Sequence, residues 1–178
     1  MEFRKNDIVT LEIVDCGTDG EGIGKADGFT VFVKDAVIGD TVTAKIMKAK
    51  KNYGYGRLME ILNASPYRVE PVCPSARQCG GCQLQAVSYE EQKVFKEKKL
   101  RGHLERIGGF TNLPMEPLIG MDEPYHYRNK AQFPVGRNKE GKIVTGFYAG
   151  RTHAIIENRD CALGIPENKD VLDRVIAH

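Results

Sequence analysis

A chain of 178 residues, 41% apolar and 28% charged, is long enough to bury a core as one medium domain or two small ones. It has no run of 18 apolar residues to span a membrane. Its opening, MEFRKNDIVTLEIV, lacks the apolar stretch and cleavage site of a secretory signal, so the cytoplasm is the expected compartment. A formal net charge of +2 excludes a global basic field, and any affinity for nucleic acid has to come from local patches.

Residues 1–62 read as all-β. IVTLEIVD, FTVFVKD, DTVTAKIM and YGRLMEIL are short β-branched runs separated by glycine or by turns such as VIGD. With the short GEGIGKA segment they make about five strands, enough to close into a small OB- or SH3-like barrel. GEGIGKADG is no phosphate loop: after Gly20, Gly22 and Gly24 the next glycine is Gly28, Ala26 follows Lys25, and a strand rather than a helix comes next. It reads as a glycine-rich hairpin with close backbone approach. Between Thr43 and Arg57 lie Lys45, Lys48, Lys50, Lys51 and Arg57, with Tyr53 and Tyr55 interleaved and no acid. A solvated lysine run is the bland reading. Aromatics among the cations of the glycine-broken loop KKNYGYGR favour RNA contact, by phosphate neutralisation and base stacking.

Residues 63–72, including ASPYRVEPV, form the expected linker, and 73–178 the second domain. Beyond the cysteine-rich CPSARQCGGCQLQ, Ser88 and Glu91 form a capping box that opens a charged helix. Leu100, Leu104 and Ile107 share one face of it, Gly108 and Gly109 end it, and His103 sits in solvent. YRNKAQFPV, KIVTGFYA and HAIIEN read as strands, the first two joined by a turn at GRNKEG, and LDRVIAH as the opening of a helix. The fold class is therefore mainly β with a small α component: an OB-like barrel, then an α+β domain.

Three of the five cysteines, Cys73, Cys79 and Cys82, fall within ten residues as C-x5-C-x2-C; Cys161 follows after 78 more. A C-x2-C pair delivers two thiolates to one centre from a tight turn, which Gly80 and Gly81 permit. Cys73 folds back from upstream, and Cys161, just after a predicted strand, is the natural fourth ligand. In a reducing compartment such a set binds metal rather than pairing as disulfides. Four thiolates suit tetrahedral zinc or an iron–sulfur centre, and the spacing alone does not choose. Cys16, in IVDCGTDG, reads as a small apolar residue packed in the barrel.

In order and content these features resemble the cluster-containing RNA uracil-C5 methyltransferases, which make 5-methyluridine in ribosomal RNA. GEGIGKADGFTVFVKDAVIGDTVTAKI with YGYGRLMEIL looks like a TRAM domain, an RNA-binding module. C-x5-CGGCQLQ-x2-SYEEQKVFK is similar to the family's cluster motif and following helix, and YRNKAQFPV, GFYAGRTHAII and the Asp160–Cys161 pair to its central domain. The resemblance implies a 4Fe–4S cluster on Cys73, Cys79, Cys82 and Cys161, with a structural or RNA-shaping role. It implies 23S ribosomal RNA as partner, with Arg128, Asn129 and Lys130 of YRNK as candidate further RNA contacts; a solvated Arg and Lys at an exposed strand end is the equal alternative. No membrane or protein partner is implied.

In that family a cysteine adds to C6 of uracil, C5 takes methyl from S-adenosylmethionine, and a base removes the C5 proton. The cofactor-binding Rossmann domain, that nucleophile and that base have no counterpart in these residues. The expectation is an N-terminal fragment of a methyltransferase, itself inactive, with S-adenosylmethionine bound only by the full-length parent. A self-contained zinc-stabilised RNA-binding module is the alternative. A radical methylthiotransferase is excluded, because there the TRAM domain follows the cluster and the motif is C-x3-C-x2-C.

Overall fold

The computed structural model describes residues 3–150 and 152–178; Arg151, within the GFYAGRTHAII segment, lies outside them. The chain forms two compact units. One holds the residues up to Glu70 together with Ala86–Leu118, and the other Pro71–Gln85 together with Ile119–His178. The helix after the cysteine run, expected with residues 73–178, thus packs in the same unit as the barrel. Backbone bonds account for this: Val69 donates to Ala86 and Ser88 to Tyr67, so the chain leaving the barrel pairs with the chain entering the helix.

Five strands, β1 (Ile8–Cys16), β2 (Gly22–Ala26), β3 (Phe29–Lys34), β4 (Thr41–Ala49) and β5 (Tyr53–Asn63), close a barrel in the order β1-β2-β3-β5-β4. All neighbours are antiparallel except β3 and β5. Period-two alternation sends Val9, Leu11, Ile13, Val31, Val33, Val42, Ala44 and Ile46 into the core and the residues between them outward. Gly22 and Gly24 face inward, where a Cβ would come within 2.8 Å of the Ala36 carbonyl and 2.6 Å of the Glu12 carbonyl. The close approach expected of GEGIGKADG is therefore a condition of barrel closure.

The chain leaving β5 does not swing free at first. In the turn Val37–Asp40, Gly39 takes φ +90° and presents Asp40, whose fully buried carboxylate accepts from the amides of Val37 (2.7 Å) and Ser65 (2.9 Å). Arg68 donates to it through both Nε (3.1 Å) and Nη2, and caps the Asp35 carbonyl at 2.9 Å. Residues 65–68, expected as linker, are thereby clipped to the barrel. Helix α1 (Tyr89–Arg106) begins at Ser88, whose Oγ accepts from the Glu91 amide at 3.4 Å. Its expected apolar stripe is largely open to solvent, Leu100 and Ile107 being exposed, and so is His103.

The second unit carries a three-stranded antiparallel sheet, β6 (Val135–Arg137), β7 (Ile143–Tyr148) and β8 (Ile155–Glu157), and helix α2 (Glu167–Ala177). YRNKAQFPV is not the strand expected: only its last residue, Val135, enters β6. Pro134 has no amide to give a ladder, and the upstream amides go elsewhere, His126 to the Ala162 carbonyl and Arg128 to that of Leu163. The GRNKEG turn is present, with Asn138 bonded to Lys142 and Gly141 at φ +78°. The closing helix begins at Glu167, upstream of LDRVIAH, with Pro166 at its start as the fixed proline φ allows. Among the described residues no helix is long and apolar enough to cross a membrane.

Candidate nucleic-acid face and thiol cluster

Gly54 and Gly56 of β5 face the barrel core, where a Cβ on Gly54 would sit 3.0 Å from the Lys48 carbonyl and one on Gly56 would sit 3.1 Å from Val31. With glycines forced inward, Tyr53, Tyr55 and Arg57 all face outward. Tyr53 and Gly54, expected in a loop, thus belong to the strand that YGRLMEIL was expected to form, and only residues 50–52 turn. Across the parallel pairing Tyr55 lies beside Phe32 and Arg57 beside Lys34; on the other flank Tyr55 meets Lys48 and Arg57 meets Lys45. Phe32, Tyr53 and Tyr55 make one cluster, with centroids 5.6–5.9 Å apart. Exposed Lys50 and Lys51 sit in the β4–β5 turn at its edge.

Sequence reasoning found both tyrosines and the five cations, and missed Phe32. The signal was there: in FTVFVK the buried Val31 and Val33 send Phe32 and Lys34 to the opposite face. A three-ring platform edged by Lys45, Lys48, Lys50, Lys51 and Arg57 presents π-faces to bases and cations to phosphates, the combination that binds single strands with little sequence preference.

In the other unit Arg128, Asn129 and Lys130 are all exposed. Their segment has a second role, since Arg128 accepts from Ile165 and bridges to Gly164, and His126 Nδ1 meets the Gly164 carbonyl at 3.0 Å. It thus braces the loop that carries Cys161.

Cys73 and Cys79 are buried, Cys82 and Cys161 half-buried, and all are free thiols. Cys79 hangs from a turn in which its amide bonds Ser75 at 2.8 Å, and it bridges to Ala149 at the end of β7. Burial pushes the Cys79 thiol up, the Gly81 amide at 3.3 Å draws it down, and negative charge on Cys73 and Cys161 raises it further. Burial also pushes Cys82 up, against a hydrogen bond from Gln85, and Cys79, Cys161 and Cys73 add to the rise. Asn158 Nδ2 donates to Cys73 Sγ at 3.5 Å. Among the described residues no three His, Cys, Asp or Glu side chains close on a ready single-ion site. Cys16 stands apart in the barrel unit; burial, little relieved by Lys99, pushes its thiol up to about 11.

Residues 3–59 match the TRAM family. The match takes in the barrel as far as Met59. Beyond it, the chain is 47% identical over 172 residues to an uncharacterized RNA methyltransferase of Halalkalibacterium halodurans, covering 97% of this chain and 37% of that protein. It is 43% identical to one of Bacillus cereus over the same shares, and 48% identical to one of Clostridium tetani over 89% of this chain and 34% of the relative. The TRAM-bearing chain therefore spans just over a third of the length of these curated relatives. Among solved structures, Pyrococcus abyssi tRNA (uracil-54, C5)-methyltransferase in complex with S-adenosyl-L-homocysteine shares the fold over 93% of this chain and 35% of its own, with TM-score 0.58 and 22% identity.

Proposed function

We propose that these residues are the RNA-recognition and cluster-holding part of an S-adenosylmethionine-dependent uracil-C5 methyltransferase of the cytoplasm that forms 5-methyluridine in 23S ribosomal RNA. The observation that carries the reading is the cation-edged aromatic face of a TRAM barrel in a chain that resembles RNA methyltransferases along nearly its whole length. The 178 residues bind RNA through Lys45, Lys48, Lys50, Lys51, Tyr53, Tyr55, Arg57 and Phe32, joined by Arg128, Asn129 and Lys130. The methyl donor and the reacting uracil are assigned to the full-length enzyme.

Cys73, Cys79, Cys82 and Cys161 would hold a 4Fe–4S cluster. The donor set suits it: four thiols in one unit, with the N–H groups of Gly81 and Asn158 directed at two of the sulfurs, as cluster sulfurs are tuned. Tetrahedral zinc on the same four thiolates is the competing occupant, which metal and sulfide content distinguish from a cluster. When bound, the group cross-links the two segments of its unit and carries no electron for methyl transfer.

Iron, acid-labile sulfide and zinc measured on anaerobically purified protein test this directly. About four iron and four sulfide per chain are expected; one zinc and no sulfide would replace the reading with a zinc-stabilised module. For RNA, the triple change Lys48→Ala, Lys50→Ala and Lys51→Ala is expected to weaken binding and flatten the plot of log affinity against log salt by about two units, three contacts at about 0.7 each. Phe32→Ala should weaken binding with the slope intact. An unchanged slope in the lysine variant removes the basic turn from the site, and tighter binding to transfer RNA than to 23S fragments would redirect the substrate.

A further inference from the structure

Within the second unit, the turn after Cys79 and the end of β7 border an open groove of about 560 Å³, in the size range of small-ligand sites. Its floor is backbone. Gly80 donates to the Tyr148 carbonyl at 2.9 Å, and a Cβ there would press on that carbonyl at 3.0 Å and on the Gly150 amide at 3.1 Å. Gly150 instead faces open space, with nothing within 4 Å of where its Cβ would be. The wall is aromatic: Tyr148 is 46% exposed, and His153 meets it edge to face with centroids 5.6 Å apart. The rim carries two polar groups. Thr152 Oγ1 accepts from the Ala154 amide at 3.2 Å, leaving its own proton to donate, and among the described residues the His153 ring makes no hydrogen bond.

We propose that this groove takes one unpaired base of a bound RNA strand, stacked on Tyr148 with its edge toward Thr152 and His153. The inference rests on the RNA reading above and adds a second subsite to it, beside the cysteines. Tyr148 supplies a flat apolar surface, and Gly150, with nothing within 4 Å of its Cβ position, leaves room beside it. An aromatic wall on a glycine floor fits a base, whose π-face is the part every nucleotide shares. Because the groove is open, the strand can enter and leave on either side of the docked base.

The test is fluorescence anisotropy with a labelled dodecauridine, over a salt series, on the anaerobically purified chain. Tyr148→Leu removes the ring, and Gly150→Leu fills the groove from a position where added atoms meet nothing. Each is expected to weaken binding about ten-fold by loss of one stacked base, with the salt slope kept, while Tyr148→Phe stays within about two-fold of the parent. Gly150→Leu carries the test should Tyr148→Leu fail to fold. Parental affinity in Gly150→Leu, together with weakened binding in the triple lysine variant, overturns the groove and leaves the RNA reading standing. If the unmodified chain shows no salt-dependent binding to RNA at all, the RNA reading falls and the groove proposal with it.

Discussion

Cys79→Ser is expected to empty the chain of iron, and Cys16→Ser to leave iron at the parental level. The two thiols differ in company more than in burial. Burial raises the proton affinity of Cys79, and Cys73 and Cys161 add to the rise, which a bound cationic centre reverses. Cys16 belongs to the barrel unit, its Sγ donating to the Gly17 carbonyl at 3.6 Å. The stability effect follows from topology. The second unit is made of Pro71–Gln85 and Ile119–His178, and a centre shared by Cys82 and Cys161 closes a loop of 78 intervening residues. By the loop-closure arithmetic used for disulfides, a cross-link of that span contributes about 4–5 kcal/mol. Metal analysis beside thermal unfolding checks both statements. Loss of iron in Cys16→Ser would overturn the ligand set, and full iron in Cys79→Ser would remove that thiol from it.

Much of the barrel was legible because its strands bury one face, so alternation in IVTLEIVD and DTVTAKIM reports the inside directly. The functional face was half legible. Lysines beside tyrosines announce themselves by composition, but Phe32 lies more than twenty residues upstream and joins Tyr53 and Tyr55 through the parallel β3–β5 pairing. Such a crossover has no local signature. YRNKAQFPV failed as a strand for the converse reason. Its apolar and polar residues alternate well enough, yet the Arg128 amide and carbonyl are both taken by the Cys161 loop, a partner more than thirty residues away. The helix after the cysteines was legible from its cap, while its membership in the barrel unit was not, since that depends on residues 67–69 pairing with 86–88.

The device least visible in the sequence is expected to matter most to the TRAM domain. Asp40→Ala should destabilise it by about 3–5 kcal/mol, the usual cost of stranding one partner of a buried pair. Such a loss is a large part of the stability of any small domain. The carboxylate is fully buried, and its removal leaves the Val37 and Ser65 amides without acceptors and the Arg68 guanidinium without its anion. Asp40→Asn separates charge from shape. It keeps one acceptor oxygen but turns an NH₂ toward donors, so it should cost nearly as much as alanine. Arg68→Lys should be milder but clearly felt, because an ammonium cannot reproduce the two-point contact. The pH dependence has a definite sign. Burial pushes the Asp40 carboxyl up, but hydrogen bonds from Arg68, Ser65 and Val37 outweigh it and hold the group below the ordinary carboxylate value. A group depressed in the folded state stabilises fully above its unfolded value, about 3.9, and loses that contribution as pH falls through the folded value. Chemical denaturation of the parent should therefore show the barrel weakening below about pH 4, and Asp40→Asn should lack that acid-sensitive component. If the variant and the parent lose stability in parallel on acidification, Asp40 is not the group that titrates.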